Sequence, residues 1–163
     1  MDDDGAQLAT ASLVTEREEL VDVIAEALGE DPAESAVPVM NEQRAGMSYD
    51  WDGLSVYLAD GEWPDLTADI LQIAVTAPSI NGVGLRTGIG ISVGSAAGQL
   101  EPEVELGTFD GLSYYRTESV VVGTSSEAGF PSDPQSSLEW SVAVVTDGTV
   151  VTRFNLPSTN YGV

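Results

Sequence analysis

Aspartate-glycine pairs set in alternating apolar sequence constrain this chain more than any other feature. Asp52-Gly53 suits a two-residue turn of type I′, in which both central residues take positive φ. Folding about it sets Trp51 opposite Leu54, Tyr49 opposite Val56 and Met47 opposite Leu58. Those six share one face, and Ser48, Asp50, Ser55 and Tyr57 share the other. A slip of one residue would send the apolar set to solvent, so the register is strongly specified. Asp147-Gly148 marks another hairpin, expected to pair Val145 with Val150 and Val144 with Val151. Its strands should run from about Leu138 to Thr146 and from Thr149 to Leu156.

Between these lies an echo. Phe109-Asp110-Gly111-Leu112-Ser113-Tyr114-Tyr115 repeats the pattern of Trp51-Asp52-Gly53-Leu54-Ser55-Val56-Tyr57: aromatic, Asp, Gly, Leu, Ser, any residue, Tyr. Trp140 to Thr146 likewise resembles Leu71 to Thr76. The order of elements therefore suggests two copies of one unit.

The first unit should open with a helix. Thr15 and Glu18 form a capping box, Leu20, Val23, Ile24, Ala27 and Leu28 recur at helical spacing, and Gly29 is the natural stop. Residues 30 to 45, with Pro32 and Pro38, read as a connecting loop, and a strand is expected from Ile70 to Ala77. Residues 78 to 87 link the halves. The run Arg86-Thr87-Gly88-Ile89-Gly90-Ile91-Ser92-Val93-Gly94-Ser95 then enters the second unit, with Ser95 capping a helix of about one to two turns that closes near Pro102. A strand at Val120 to Val122 follows. The expected fold is α+β: two similar units, each a helix packed on an antiparallel β-meander. They cover residues 13–80 and 81–163 after an acidic, disordered tail at residues 1–12, and one continuous domain is the other option.

Composition removes whole classes of chemistry. The 163 residues include 27 Asp and Glu against 5 Arg, with no Lys, His or Cys. Without His there is no Ser-His-Asp triad and no ordinary zinc site; without Lys there is no phosphate-binding P-loop or Schiff base; without Cys there is no thiol nucleophile. A net charge of −22 repels nucleic acid and anionic lipid and favours cationic partners. Carboxylate chemistry remains, as in glycoside hydrolysis or a hard-metal site. Gly88, Gly90 and Gly94 lack the parallel strand-turn-helix setting of a dinucleotide loop, so they read as a turn between units. Asp2-Asp3-Asp4-Gly5 and Asp50-Trp51-Asp52-Gly53 lack the glutamate that completes an EF-hand. No catalytic, cofactor or metal residue is assigned.

Binding residues are sought among the aromatics. Tyr57 and Tyr115 should be exposed by alternation, and Trp63 lies among Glu62, Asp65 and Asp69 in an arrangement a carbohydrate site could use. Tyr57, Trp63 and Tyr115 are thus the candidate partner-binding residues.

The stretch Thr87-Gly88-Ile89-Gly90-Ile91-Ser92-Val93-Gly94-Ser95, followed by a short helix and an aromatic strand, resembles a turn in secreted actinobacterial lipoproteins of unknown role. The element order is similar to the BamE/SmpA-like lipoproteins and to the tandem-unit β-lactamase inhibitor protein fold. The chain departs from these in lacking a lipobox cysteine and the inhibitor cysteines, so no binding residue carries over. The resemblance implies a non-catalytic, extracytoplasmic binding or envelope-associated domain, lipid-anchored in a precursor whose leader would precede Asp2. The implied partner is another protein, with cationic ones favoured, or a cell-envelope component. No transmembrane segment is expected, since no apolar run reaches about 18 residues.

Two alternatives stay open: a small carboxylate-dependent hydrolase of carbohydrate or cell-wall polymer, and a salt-adapted haloarchaeal protein. Unbalanced carboxylates repel one another, and salt screens them. Salt adaptation predicts that the chain unfolds in dilute buffer and gains melting temperature towards molar salt. A thermal melt that does not move between the two conditions excludes it.

Overall fold

The hairpin about Asp52-Gly53 forms in the expected register, and a single large sheet grows outward from it. The computed structural model describes residues 19–39, 44–61, 71–100, 103–124 and 137–159. In chain order its elements are α1 (Leu20–Leu28), β1 (Ala33–Val37), β2 (Gly46–Trp51), β3 (Leu54–Ala59), β4 (Leu71–Val75), β5 (Ser79–Ile80), β6 (Val83–Gly84), a 3-10 turn (Ala97–Leu100), β7 (Val104–Phe109), β8 (Leu112–Thr124), β9 (Ser137–Thr146) and β10 (Val151–Thr159). Trp51 pairs with Leu54, Tyr49 with Val56 and Met47 with Leu58. The turn itself differs from expectation, because only Gly53 takes positive φ, at 103°. Its carbonyl accepts the N–H groups of Thr76 at 2.8 Å and Ala77 at 3.3 Å. A Cβ on Gly53 would run into the Ala77 methyl, so close approach as well as φ demands glycine.

Residues 33–37 are a strand, not part of a loop. They pair with β2 from Ala33–Asp50 to Val37–Gly46. Four of the five are exposed, which leaves no apolar alternation to read. Pro32 and Pro38 bound the strand on either side.

α1 starts at Leu20 with Glu19 at the N-cap position and no side-chain cap. The Thr15–Glu18 capping box lies outside the described residues, as does the 1–12 tail. The stop at Gly29 is as expected: φ is 67°, Gly29 N–H reaches Glu26 O at 3.3 Å and Glu30 N–H reaches Ala25 O at 3.2 Å. These are the two bonds of a Schellman cap. The packed face carries Leu20, Val21, Ile24, Ala25 and Leu28, rotated slightly from the one the spacing suggests. Two further bonds fix the helix end. Trp51 Nε1 donates to Glu30 O at 2.9 Å, and Asn81 Nδ2 donates to Leu28 O at 3.2 Å and to Glu30 Oε2 at 2.7 Å. Asn81, with φ 49°, and Gly82, with φ 82°, form the turn of the β5–β6 hairpin inside the stretch expected to be a plain linker.

The expected fold class is overturned. The chain is mostly β, with one α-helix among the described residues and an eight-stranded antiparallel sheet in the order β1-β2-β3-β4-β10-β9-β8-β7. Two meanders meet where β10 pairs with β4, through Phe154–Val75, Asn155–Ala74 and Leu156–Ile73. The second meander has no α-helix of its own among the described residues, because its entry segment pairs like a strand. Gly94 N–H reaches Val151 O at 2.8 Å, Val151 N–H reaches Ser95 O at 2.8 Å and Ala97 N–H reaches Thr149 O at 2.9 Å. Backbone groups used this way cannot start a helix, and one 3-10 turn is what remains. Ser95 does not cap it; its hydroxyl accepts from Ser92 N–H at 3.0 Å.

One core serves both meanders. α1 and the 78–100 segment cover the inner face, where Leu20, Leu28, Ile80, Ile91 and Leu100 join Val56, Leu71, Val75, Val144, Val151 and Phe154. Trp140 to Thr146 are buried at every position, as suits a central strand covered on both faces. Among the described residues no helix is long and apolar enough to cross a membrane.

The β9–β10 register also departs from expectation. Val144 pairs with Phe154 and Val145 with Arg153, beyond an irregularity between Val151 and Arg153. The turn is longer because Asp147 organises it: Oδ1 accepts Thr149 N–H at 2.8 Å and Val150 N–H at 2.9 Å. Bonds from the Val150 and Thr149 amides hold the Asp147 pKa below its ordinary 3.8. A depressed folded pKa contributes stability that is complete above the unfolded value and lost as pH falls through the folded one. Denaturant melts should therefore show Asp147→Ala less stable than wild type at neutral pH. The gap should narrow steadily once pH drops below about 4, the unfolded carboxylate range. A pH-independent gap would rule out the charge-assisted turn.

Candidate interaction surface

The echoed motif folds as the β7–β8 hairpin, but with its faces reversed. Phe109 pairs with Leu112 across Asp110-Gly111, as Trp51 pairs with Leu54 across Asp52-Gly53. Here Asp110 (φ 51°) and Gly111 (φ 77°) both take positive φ, the combination that type I′ requires. Thr108 pairs with Ser113, their hydroxyls 3.4 Å apart, and Gly107 pairs with Tyr114. The next pair is Glu105–Tyr115, so Leu106 is an extra residue in a β-bulge. Tyr115 in turn pairs with the fully buried Val144 and packs on the core. Tyr115, Ser113, Thr108 and Glu105 thus belong to the inner face, and Leu112, Phe109, Tyr114 and Gly107 to the outer.

The result is an apolar groove at the sheet margin. Leu106, Gly107, Thr108, Phe109 and Tyr114 line an open hollow of about 350 Å³. Phe109 is 74% exposed and Leu106 50%, two of the four large apolar side chains left exposed among the described residues. Gly107 has no side chain to fill the space facing Tyr114, and its φ of 140° disfavours any residue that could. Asp110 in the adjoining turn is exposed, and so is Glu105 on the other face of the same edge. The margin is therefore apolar at its centre and acidic along its rim.

Two of the three expected anchors, Tyr57 and Tyr115, lie outside this groove. Tyr57 is buried at 6%, not exposed; its hydroxyl donates to Arg44 O at 2.8 Å. Its ring lies over Gly46, where a Cβ would come within 2.8 Å of it. Tyr115 is half-buried on the inner face. Trp63 and its acidic neighbours Glu62, Asp65 and Asp69 lie outside the described residues. Of the three, Tyr57 in β3 and Tyr115 in β8 are described, and neither is exposed. Alternation counted from the first hairpin placed Tyr115 outward, whereas pairing with β9 turns it inward and its neighbour Tyr114 outward. A glycine inside strand-like sequence, Leu106-Gly107-Thr108, was the signal for the bulge.

The glycine run 86–95 is a latch. Thr87 N–H reaches Ile91 O at 2.8 Å and Ile91 N–H reaches Thr87 Oγ1 at 3.1 Å, closing a small loop. Glu118, held at φ 52° in an irregularity of β8, accepts Ile89 N–H through Oε1 at 2.9 Å. Its other oxygen would be 3.1 Å from a Cβ on Gly88. The loop's donor is thereby occupied from within the chain. A second hollow of about 370 Å³ lies at the end of α1, lined by Asp22, Ala25, Glu26, Gly29, Glu30 and Asp31. Among the described residues no three acidic side chains converge as metal ligands. Asp50 instead accepts from Ser48 Oγ at 2.9 Å.

No protein-family model matches this chain, no curated protein matches it in sequence, and no solved structure matches it.

The division of aromatics makes a direct stability prediction. Tyr57→Ala should cost about 3 kcal/mol, because it opens a cavity and removes the hydroxyl that donates to the part-buried Arg44 carbonyl. Phe109→Ala should stay within about 0.5 kcal/mol of wild type, as a surface change does. Urea melts of the two variants check this, and equal losses would contradict the burial of Tyr57 and the exposure of Phe109.

Proposed function

We propose that this chain is a non-catalytic binding domain that recognises a cationic partner protein and works outside the cytoplasm. The observation that carries the reading is the exposed Leu106–Phe109–Tyr114 groove with its acidic rim, on a chain of net charge −22. Apolar side chains this exposed are costly to leave in water, and aromatic anchors beside a polar rim are the usual anatomy of an interface. The negative field would speed encounter with a cationic partner and discourage acidic ones. The extracytoplasmic placement rests on the acidic, lysine-free composition and on the likeness of residues 87–95 to the lipoprotein turn.

A photo-crosslinking residue at position 109, with a control at exposed Gln72, tests the reading in cells that make the protein. One partner, basic in composition, should be captured at position 109 and not at position 72. Equal capture at both positions, or none at either, would refute the proposal.

A further inference from the structure

The sheet has two edges, and they are built differently. β1 is five residues long, carries Ala33, Glu34, Ser35 and Ala36 exposed, and is bracketed by Pro32 and Pro38. Small side chains, a charge and flanking prolines are the ordinary means of keeping an edge unpaired. β7 has six residues and carries one charge at Glu105 and a bulge at Leu106, but unlike β1 it exposes two large apolar side chains, Leu106 and Phe109. Among the described strands its only neighbour is β8, so its outer row of N–H and C=O groups has no strand partner. An edge with these properties is a template for another strand.

We infer that β7 accepts, as a ninth strand, an extended segment of another protein in which basic and apolar residues alternate. The alternation follows from the faces. A strand laid beside β7 presents side chains by turns to its two sides. On the outer side they meet Gly107, Phe109 and the Leu106 bulge, where the groove has room for an apolar group. On the inner side they meet Glu105 and Thr108, where an acidic residue awaits a cation. A second copy of this chain fits poorly, because it would bring Glu105, Asp110 and a second charge of −22 to the same edge.

This inference rests on the binding reading above and adds how the partner is held. The test is calorimetric titration of the full chain with a capped octapeptide of alternating lysine and valine. Three control peptides accompany it: the same composition in two blocks, a version N-methylated at alternate backbone nitrogens, and one with glutamate for lysine. The alternating peptide should bind, slow amide exchange within β7, and lose affinity about tenfold or more with Phe109→Ser. All three controls should bind at least tenfold more weakly. Equal binding by the N-methylated peptide overturns strand addition without needing any variant. Protection at β1 in place of β7, or a concentration-dependent dimer through β7, overturns it as well. If crosslinking at position 109 captures a basic partner while the alternating peptide fails to bind, strand addition falls and the binding reading stands. If both fail, the binding reading falls too.

Discussion

Three residue pairs hold this molecule together as one body. Where Phe154, Asn155 and Leu156 of β10 lie against Val75, Ala74 and Ile73 of β4, two four-stranded meanders become one sheet. Neither meander could bury its inner face alone with what its own sequence supplies. Among the described residues the first has α1 and the second a single 3-10 turn. Joined, they share Leu20, Leu28, Ile80, Ile91 and Leu100 as a cover for both halves. The 78–100 segment fits this arrangement closely. It follows β4, turns at Asn81-Gly82 to grip the end of α1, and flanks the start of β10 beyond the last β4 pair. Glu118 then ties its glycine loop to β8. A segment with little regular structure thus contacts the helix and the second meander, and its conformation is set by those contacts.

The same constraint explains why one motif does opposite work in two places. Trp51 and Phe109 occupy equivalent positions in hairpins of the same pattern, yet Trp51 is 6% exposed and Phe109 74%. Local sequence decides that a hairpin forms and which residues flank its turn. It does not decide which face meets the core, because that depends on the next strand over. β3 meets β4 with Leu54 opposite Val75 and Val56 opposite Ile73, which sets the Trp51 face inward. β8 meets β9 with Tyr115 opposite Val144, which sets the Phe109 face outward. With a side-chain period of two, a single step of register between hairpin and sheet is enough to invert the motif.

That limit accounts for what the sequence revealed and what it hid. The first hairpin, its register, the Gly29 stop and the strands at Leu71–Val75 and Trp140–Thr146 were legible, since each is set by local turn chemistry or strong alternation. β1 was not: Ala-Glu-Ser-Ala-Val has no apolar period, and its strand exists through pairing to β2 alone. The second helix was misread because a serine after a glycine run suits a cap. The competing strand-like bonds to Thr149 and Val151 come from residues more than fifty positions away. Tyr115 turns inward for the reason just given, an alternation carried from one hairpin to another that faces the other way, whereas Tyr57 keeps its expected face and is buried there over Gly46. The triad, P-loop and thiol chemistries ruled out by composition do not depend on the fold, since absent side chains cannot be supplied by folding.

The unequal edges bear on how such a chain stays soluble. A sheet of eight antiparallel strands that does not close leaves two edges, and both invite association. At β1 the remedy is local, with a proline on either side and only small or charged side chains exposed along the strand. At β7 the bulge at Leu106 interrupts the edge only in part, and Leu106 and Phe109 are left in water. What protects that edge from its own kind is charge. Each copy carries −22, with Glu105 and Asp110 at the margin itself, so two edges approach against a repulsion that falls off over about 8 Å at physiological salt. The protection is selective. It opposes another copy and any acidic chain, and it turns to attraction for a basic one. An edge guarded by proline is closed to all partners; an edge guarded by charge is closed to most and open to those of opposite sign.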